Sequence, residues 1–210
     1  MDSVTDGKRP PKRAGQRGPV EHERREQIIR AAEQHIHQVG YRRTSVVDLA
    51  RAIGFSTAYI YKFFDSKRAI GEAICAMTLR GIDDALWAIA EGPGSAESRL
   101  GQIYRALAEQ GRALFFNEHQ LHEITLVAVE ENWSSIGEHL DALRQIIRRI
   151  VLDGREAGEF ERKTPIDEVC GTILQTMAPF SHPALLQTRL DHLEEAAGAM
   201  ARLVLRSLAP

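Results

Sequence analysis

Hydroxyl, aromatic and lysine side chains cluster between Thr44 and Ile70, in the stretch TSVVDLARAIGFSTAYIYKFFDSKRAI. The pattern predicts two short helices joined by a tight turn at Gly54-Phe55, and each is too short to be stable alone. The two must pack on each other and on a preceding helix, which makes a helix-turn-helix. In that motif the N-terminal residues of the second helix enter the major groove of DNA. The predicted chemistry is therefore hydrogen bonding to phosphates and base edges.

The side chains predicted to contact DNA lie on or just beyond the second of these helices. Thr57 and Tyr59 offer hydroxyls, and Ala58 is small enough to let bases approach. Lys62 and Lys67 offer positive charge to phosphates.

The net charge of −2 conceals a division along the chain. Residues 1–75 carry 14 Lys/Arg and 9 Asp/Glu, whereas residues 76–210 carry 13 and 20. A basic first third before an acidic remainder favours a nucleic-acid-facing part followed by a part with another role. Residues 1–19 are rich in Gly, Pro, Lys and Arg, so we interpret them as a flexible basic tail. Its charges either contact DNA, in the minor groove, or only solubilise the chain.

Several classes of protein are excluded by composition. No run approaches 18 apolar residues, so no transmembrane helix is predicted, and the N-terminus lacks the apolar stretch of a secretory signal. Two cysteines, Cys75 and Cys170, are too few for a disulfide scaffold and fit a reducing cytosol, so a cytoplasmic location is predicted. Neither a nucleophile–base constellation nor a phosphate loop is recognisable, so we predict no enzyme activity and no cofactor.

Apolar residues at helical spacing predict an all-α fold, and no period-2 alternation indicates strands. Ser45 with Asp48 forms a capping-box pattern, and Thr164 before Pro165 predicts another helix start. About nine helices are predicted, at residues 21–39, 45–52, 57–63, 66–91, 96–116, 118–131, 134–157, 165–180 and 186–208.

The stretch from Ile28 to Ile70 resembles the tetracycline-repressor (TetR) family of bacterial transcriptional regulators, over about a fifth of the chain. The resemblance implies a three-helix DNA-binding domain, residues 20–66, which we call the head. It also implies a six-helix effector-binding and dimerisation domain, residues 67–210, which we call the body. The residues that carry the resemblance are Ile28-Ile29-Arg30-Ala31-Ala32, Gly40-Tyr41, Thr44-Ser45-Val46, Asp48-Leu49-Ala50, Gly54-Phe55-Ser56, Ile60-Tyr61, Phe64 and Ser66-Lys67.

The resemblance also implies roles for residues in the head. Thr44 would cap the second helix and touch a phosphate, and Tyr61 and Lys67 would bind phosphates. Tyr61 has the alternative of belonging to the core of the head, which is the interpretation we favour for Phe64. The complete predicted DNA-binding set is Thr44, Ser56, Thr57, Ala58, Tyr59, Tyr61, Lys62 and Lys67.

Two positions depart from the family pattern. Phe63 stands where the family usually has a phosphate-binding histidine, and Thr57 stands where lysine is common. Both changes reduce phosphate affinity, which leaves the basic tail, Arg42 or Arg43 to compensate.

For the body, the resemblance implies a cavity for a small-molecule effector. Ligand pockets are mostly apolar with a few polar groups, although most apolar side chains on these helices belong to the core. The predicted lining residues are Trp87, Tyr104, Phe115, Phe116, His119, Trp133, Gln175 and Met177.

His119 and His122 stand three residues apart on a predicted helix, a spacing that can direct two imidazoles at one metal. The alternatives are a polar helix end or a histidine that lines a cavity. His182 or Cys170 could supply a third ligand only through the fold. We predict no metal.

The eighth and ninth predicted helices are rich in small residues, which permit close helix approach but also simply favour helix formation. The resemblance implies that these two helices pair with their copies in a homodimer. Both carry a long apolar stripe that we assign to that interface. The stripe of the eighth helix is Ile166, Val169, Ile173 and Met177, and that of the ninth is Leu186, Leu190, Leu193, Ala197, Met200 and Val204.

The sequence thus predicts a homodimeric, ligand-responsive DNA-binding regulator, a repressor that binds a palindromic operator and is released by a small molecule. Two alternatives stay open. One is a helical adaptor that binds protein and not DNA; the other is a metal-dependent helical enzyme that uses His119 and His122.

Overall fold

The computed structural model describes residues 19–186 and 190–210, and within these ranges the chain is helical and contains no strand. The predicted all-α class is confirmed, whereas residues 1–18 of the predicted basic tail lie outside the described part. The helices are α1 (Pro19–Val39), α2 (Val46–Ile53), α3 (Thr57–Ile60), α4 (Lys67–Ala90), α5 (Ala96–Asn117), α6 (His119–Glu130), α7 (Ser134–Ala157), α8 (Ile166–Ser181), α9 (Pro183–Leu186) and α10 (Leu193–Ser207).

Serine residues start each short helix of the head. The Ser45 side chain accepts a hydrogen bond from the Asp48 amide at 3.2 Å, and Asp48 Oδ2 accepts one from the Ser45 amide at 3.0 Å. This capping box confirms the predicted start of α2. Gly54 ends α2 with a φ of 76°, a left-handed conformation that glycine adopts without steric cost. Ser56 then caps α3 by accepting from the Tyr59 amide at 3.1 Å.

Two predicted helix starts are wrong. Pro165, not Thr164, is the N-cap of α8, and no side chain caps it. The Thr164 amide instead donates to Glu161 Oε2 at 3.1 Å, and its carbonyl accepts from Arg155 at 2.7 Å. The single helix predicted at 186–208 is also not continuous. Leu186 ends α9, and a 3₁₀ turn at Leu190–His192 precedes α10, whose first turn carries Glu194 and Glu195 near the positive end of the helix dipole.

Two apolar cores lie along the long helix α4. Ile70 and Ile74, near its beginning, pack in the core of the head, and Leu86 and Ala90, near its end, pack in the core of the body. The core of the head is not formed by head residues alone. It is completed by body side chains from α6 and the turn after it, namely Leu121, Ile124, Val127, Ala128 and Trp133.

Within the described ranges no helix is both long and apolar enough to cross a membrane.

Candidate DNA-binding surface and effector cavity

The beginning of α3 is exposed where the sequence predicts base contacts. Ser56 and Ala58 are exposed, whereas Thr57 and Tyr59 are partly covered. The Ser56 oxygen is already used as the helix cap, but its own proton remains available to an acceptor.

Tyr59 is held by aromatic neighbours on both sides. Its ring centroid lies 4.8 Å from that of Phe55 and 5.3 Å from that of Phe63, and Lys62 Nζ lies 5.8 Å from the same ring. Phe63, at the position of the family's phosphate-binding histidine, thus supports the orientation of Tyr59. Rings packed in this way lose little further freedom when they meet a partner.

Tyr61 and Phe64 occupy opposite environments. Tyr61 is 49% exposed, so it does not belong to the core of the head, whereas Phe64 is only 2% exposed and does. Lys62 is exposed beside Tyr61, and both residues directly follow the last residue of α3.

Lys67 stands at the first position of α4, next to the turn between α1 and α2. Its Nζ donates to the Arg42 carbonyl at 3.3 Å and lies 4.4 Å from the centroid of the Tyr41 ring. Partial burial lowers the pKa of Lys67, an effect that nearby Glu123 opposes. Because an ammonium group has three donors, these contacts leave others free for a phosphate.

Thr44 does not take the role expected of it. Ser45 is the cap of α2, and Thr44 is buried, with an exposed fraction of 3%. Its hydroxyl donates to the Gly40 carbonyl at 2.7 Å and its amide donates to the Tyr41 carbonyl at 3.2 Å. Both donors of Thr44 are used within the protein, so neither is left for a phosphate.

Arg42 and Arg43 differ in what they contact. Arg42 pairs with Glu130 at 2.7 Å and approaches Glu123 at 3.7 Å, and the hydrogen bond to Glu130 raises the pKa of Arg42. The charge of Arg42 is thus engaged by α6 of the body. Arg43 is exposed and is the better candidate for the compensating phosphate contact.

A cavity of about 610 Å³ lies in the body, among α4 to α9. This volume falls in the range of about 300–1,000 Å³ that is typical of small-molecule pockets. Most of its wall is apolar, and a few polar side chains interrupt it. The polar lining residues are Gln110, His122, Thr125, Asn132, Ser134, His139, Ser181 and His182.

Of the eight predicted lining residues, all within the described ranges, the structure places Trp133 in the wall and the other seven elsewhere. Tyr104 is buried in the body core, where its hydroxyl donates to Thr176, and Met177 and the partly buried Trp87 belong to the same core. Phe115 packs on the His122 ring at a centroid distance of 5.1 Å. The remaining three side chains are exposed: Phe116, His119 and Gln175.

The sequence did not predict a buried polar pair at the cavity, in which His139 lines the wall and Asp83 pairs with it. His139 Nδ1 on α7 donates to Asp83 Oδ1 on α4 at 2.6 Å, and both residues are buried. A signal for them exists in the sequence. Asp83 stands four residues after Leu79 and three before Leu86, on the buried face of α4, and His139 stands four residues before buried Leu143 on α7. A carboxylate and an imidazole on two apolar faces indicate a buried pair.

The two histidines of α6 lie in different environments. His119 is exposed and His122 is buried, and burial, followed by the nearby His119, lowers the pKa of His122. Within the described residues no group of three His, Cys, Asp or Glu side chains could hold a metal ion.

The fold and the two sites define a helix-turn-helix transcriptional regulator with a ligand-binding domain. Residues 28–74 match the family model described as bacterial regulatory proteins, tetR family. Residues 96–202, about half of the chain, match the model described as tetracyclin repressor-like, C-terminal domain. The chain therefore belongs to the TetR family, whose members are DNA-binding regulators and not enzymes, and the resemblance seen in the sequence is confirmed.

Solved structures with the same fold include other regulators. FadR from Bacillus subtilis, solved in complex with stearoyl-CoA, is 19% identical with a TM-score of 0.65, over 87% of this chain and 98% of that one. PfmR from Thermus thermophilus, a TetR family regulator, is 26% identical with a TM-score of 0.59, over 85% and 97%. The fatty acid degradation regulator FadR from Bacillus halodurans is 21% identical with a TM-score of 0.63, over 91% and 97%. No curated protein matches the chain.

Proposed function

We propose that this protein represses transcription by binding a palindromic operator as a homodimer, and that it leaves the operator when a small molecule occupies the cavity. The single observation that carries the proposal is the course of α4. The helix begins with Lys67, one of the residues predicted to bind a phosphate, and its middle residues Leu79 and Ile82 line the cavity. One rigid element thus spans both sites.

The head and the body also contact each other directly, which could link the cavity to the DNA-binding surface. Tyr41 of the head and Trp133 of the body meet edge to face, with ring centroids 5.8 Å apart, and both pack closely on Gly71 of α4. Trp133 also lines the cavity. A ligand that binds better when Trp133 is displaced would favour a different position of the head, by no more than its difference in affinity for the two positions.

In the operator complex, we assign base readout to Thr57, Ala58 and Tyr59. Phosphate binding is assigned to Ser56, Tyr61, Lys62 and Lys67, with Arg43 in place of Thr44. In a dimer, two such heads would bind half-sites roughly 34–36 Å apart or a multiple of that distance.

We assign dimerisation to the outward faces of α8 and α10. Leu203 is 56% exposed, Ala199 is exposed, and a Cβ at Gly171 would meet no atom within 4 Å, so another helix can approach closely. The assignment of Ala197 to this surface is wrong, because it is fully buried in the core of its own chain together with Leu193 and Val204.

A gel-shift experiment with the DNA that flanks the protein's own gene tests operator binding. We expect wild-type protein to shift this DNA, Lys62→Ala to bind more weakly, and Lys163→Ala, an exposed lysine of the body, to bind normally. Absence of any shift with flanking DNA, while the protein is folded, would favour a protein-binding adaptor instead.

Sedimentation velocity tests the dimer. Leu203→Arg should give monomers that no longer bind the operator, because the introduced charge would be desolvated at the interface. Leu152→Arg, a similar change at a 44% exposed leucine of α7, should leave a dimer. A wild-type protein that sediments as a monomer at micromolar concentration would contradict the assignment.

A further inference from the structure

The wall of the cavity offers a ligand no net positive charge, and we propose that the ligand is an apolar molecule whose polar end is a hydrogen-bond donor to His139. Alcohols, phenols and amines share this chemistry, whereas carboxylates and phosphates do not. The inference rests on the proposed effector function and adds the chemical class of the effector.

The wall of the cavity carries few titratable side chains. Among the described residues that line the cavity there is no lysine, arginine, aspartate or glutamate. Its titratable side chains within the described ranges are histidines, namely His122, His139 and His182.

The hydrogen bond to Asp83 determines which ring nitrogen of His139 can contact a ligand. Its Nδ1 donates to the Asp83 carboxylate at 2.6 Å, which leaves Nε2 as the ring nitrogen for a ligand. In the tautomer that donates from Nδ1, Nε2 is an acceptor, and the pair carries the negative charge of the Asp83 carboxylate. The pair therefore gives the wall no positive charge.

The other two histidines add no fixed positive charge. Burial lowers the pKa of His122, which favours its neutral ring. His182 Nδ1 is buried without a hydrogen-bond partner among the described residues, so it is a second nitrogen that could accept a hydrogen bond from a ligand.

An anionic ligand would therefore lose its hydration without gaining a counter-charge. Burying a charge without a partner is among the most costly events in a protein interior, and here the Asp83 carboxylate adds repulsion. A hydroxyl or an amine avoids this cost, since it can donate to Nε2 while its apolar part packs on Trp133 and the leucines and isoleucines of the wall.

A charge series of eight-carbon probes tests the proposal by calorimetry at pH 7.5: 1-octanol, octylamine and octanoate. We expect wild-type protein to bind octanol and octylamine at least tenfold more tightly than octanoate. Asp83→Asn should strengthen the binding of octanoate and weaken the binding of octylamine. The affinity for octanol should change by less than twofold. The matched control is Asp84→Asn, which removes the same charge from an exposed position of α4 and should change none of the three.

The location of binding is reported by the fluorescence of Trp133. In a Trp87→Phe variant Trp133 is the remaining tryptophan, and we expect octanol to change its emission. The wild-type series needs no substitution at Asp83, so it remains decisive if Asp83→Asn folds poorly.

Two results would overturn the ligand class: octanoate or stearoyl-CoA binding as tightly as octanol, or no response of Trp133 to octanol and octylamine. Neither result affects the outcome of the gel-shift experiment. If an anion binds the cavity and releases the operator, the proposed ligand class is wrong and the proposed repressor function is supported. If the protein never binds the operator, the proposed repressor function is wrong, and the charge series still tests the ligand class.

Discussion

The side chains proposed to contact DNA lie mostly on or beside one short helix of the head, whereas the wall of the proposed effector cavity is formed by six helices of the body. In the head, residues 56–62 supply most of the proposed DNA contacts, and three aromatic rings at Phe55, Tyr59 and Phe63 support each other. In the body, the cavity and the pair Asp83–His139 form only where separate helices meet.

The difference shows where the two functions can influence each other. The exposed end of α3 can be changed without disturbing the body, but the opposite side of the head is built partly from body residues. Arg42 pairs with Glu130 on α6, and the Tyr41 amide donates to Glu123 at 3.0 Å. A change of the cavity wall at Trp133 therefore reaches the head through direct packing.

The largest effect should come from filling the junction between the two regions. A Cβ at Gly71 would lie 2.6 Å from the Tyr41 ring and 2.8 Å from the Trp133 ring, so Gly71→Ala forces one of them to move. We expect the free energy of unfolding to fall by about 1–3 kcal/mol in urea titrations.

Gly81 provides the matched control on the same helix, since a Cβ there meets no atom within 4 Å. Gly81→Ala should leave stability unchanged or raise it by up to about 1 kcal/mol, because alanine favours the helix. Equal effects of the two substitutions would show that the junction is not closely packed.

The next prediction tests whether Thr44 stabilises the head or contacts DNA. Thr44→Val keeps the volume but removes the hydrogen bond to the Gly40 carbonyl, which should cost about 1 kcal/mol of stability. Operator affinity measured well below the unfolding temperature should keep its dependence on salt concentration. A shallower slope would mean that Thr44 does contact a phosphate.

A third prediction compares one buried tyrosine from each region at alkaline pH. Burial raises the pKa of Tyr41 and of Tyr104 to about 12, above the value of about 10 expected in the unfolded chain. The folded state thus keeps these protons where the unfolded state loses them, so stability present below pH 10 is lost as the pH rises toward 12.

Urea unfolding of Tyr41→Phe and Tyr104→Phe between pH 8 and 12 measures this effect. The difference in stability between wild type and each variant should shrink with rising pH. If head and body unfold in separate transitions, Tyr41→Phe should alter the first and Tyr104→Phe the second. A difference that stays constant with pH would show that the corresponding hydroxyl is accessible to water.

The smallest effect on stability concerns Lys67. Lys67→Ala should flatten the log–log dependence of operator affinity on salt concentration by about 0.9 for each phosphate that is no longer neutralised in a half-site. Lys163→Ala is the control that should keep the wild-type slope. An unchanged slope for Lys67→Ala would assign the lysine to the turn at Arg42 and Tyr41 alone.

Much of the head could be predicted from its sequence. The capping box at Ser45 and Asp48, the glycine that ends α2 and the serine that starts α3 act over three or four residues, so their partners are near in the chain. The family resemblance lies in the same stretch and is confirmed. The misassigned residue, Thr44, is the one whose role depends on how the α1–α2 turn closes.

The positions of functional groups in the body depend on which faces of distant helices meet. Helical periodicity places Tyr104, Met177 and Ala197 on apolar stripes, but it does not show whether a stripe faces the core, the cavity or a second copy of the chain. The packed structure shows that all three are buried in the core of the body. Of the eight predicted lining residues, all of them in the described part of the chain, Trp133 alone lines the cavity. By itself, the sequence determined most of the helices, the caps of the short head helices and the family, because those depend on neighbouring residues. Only the tertiary structure decided the cavity and its buried Asp83–His139 pair, because side chains 56 residues apart meet only after the helices have packed.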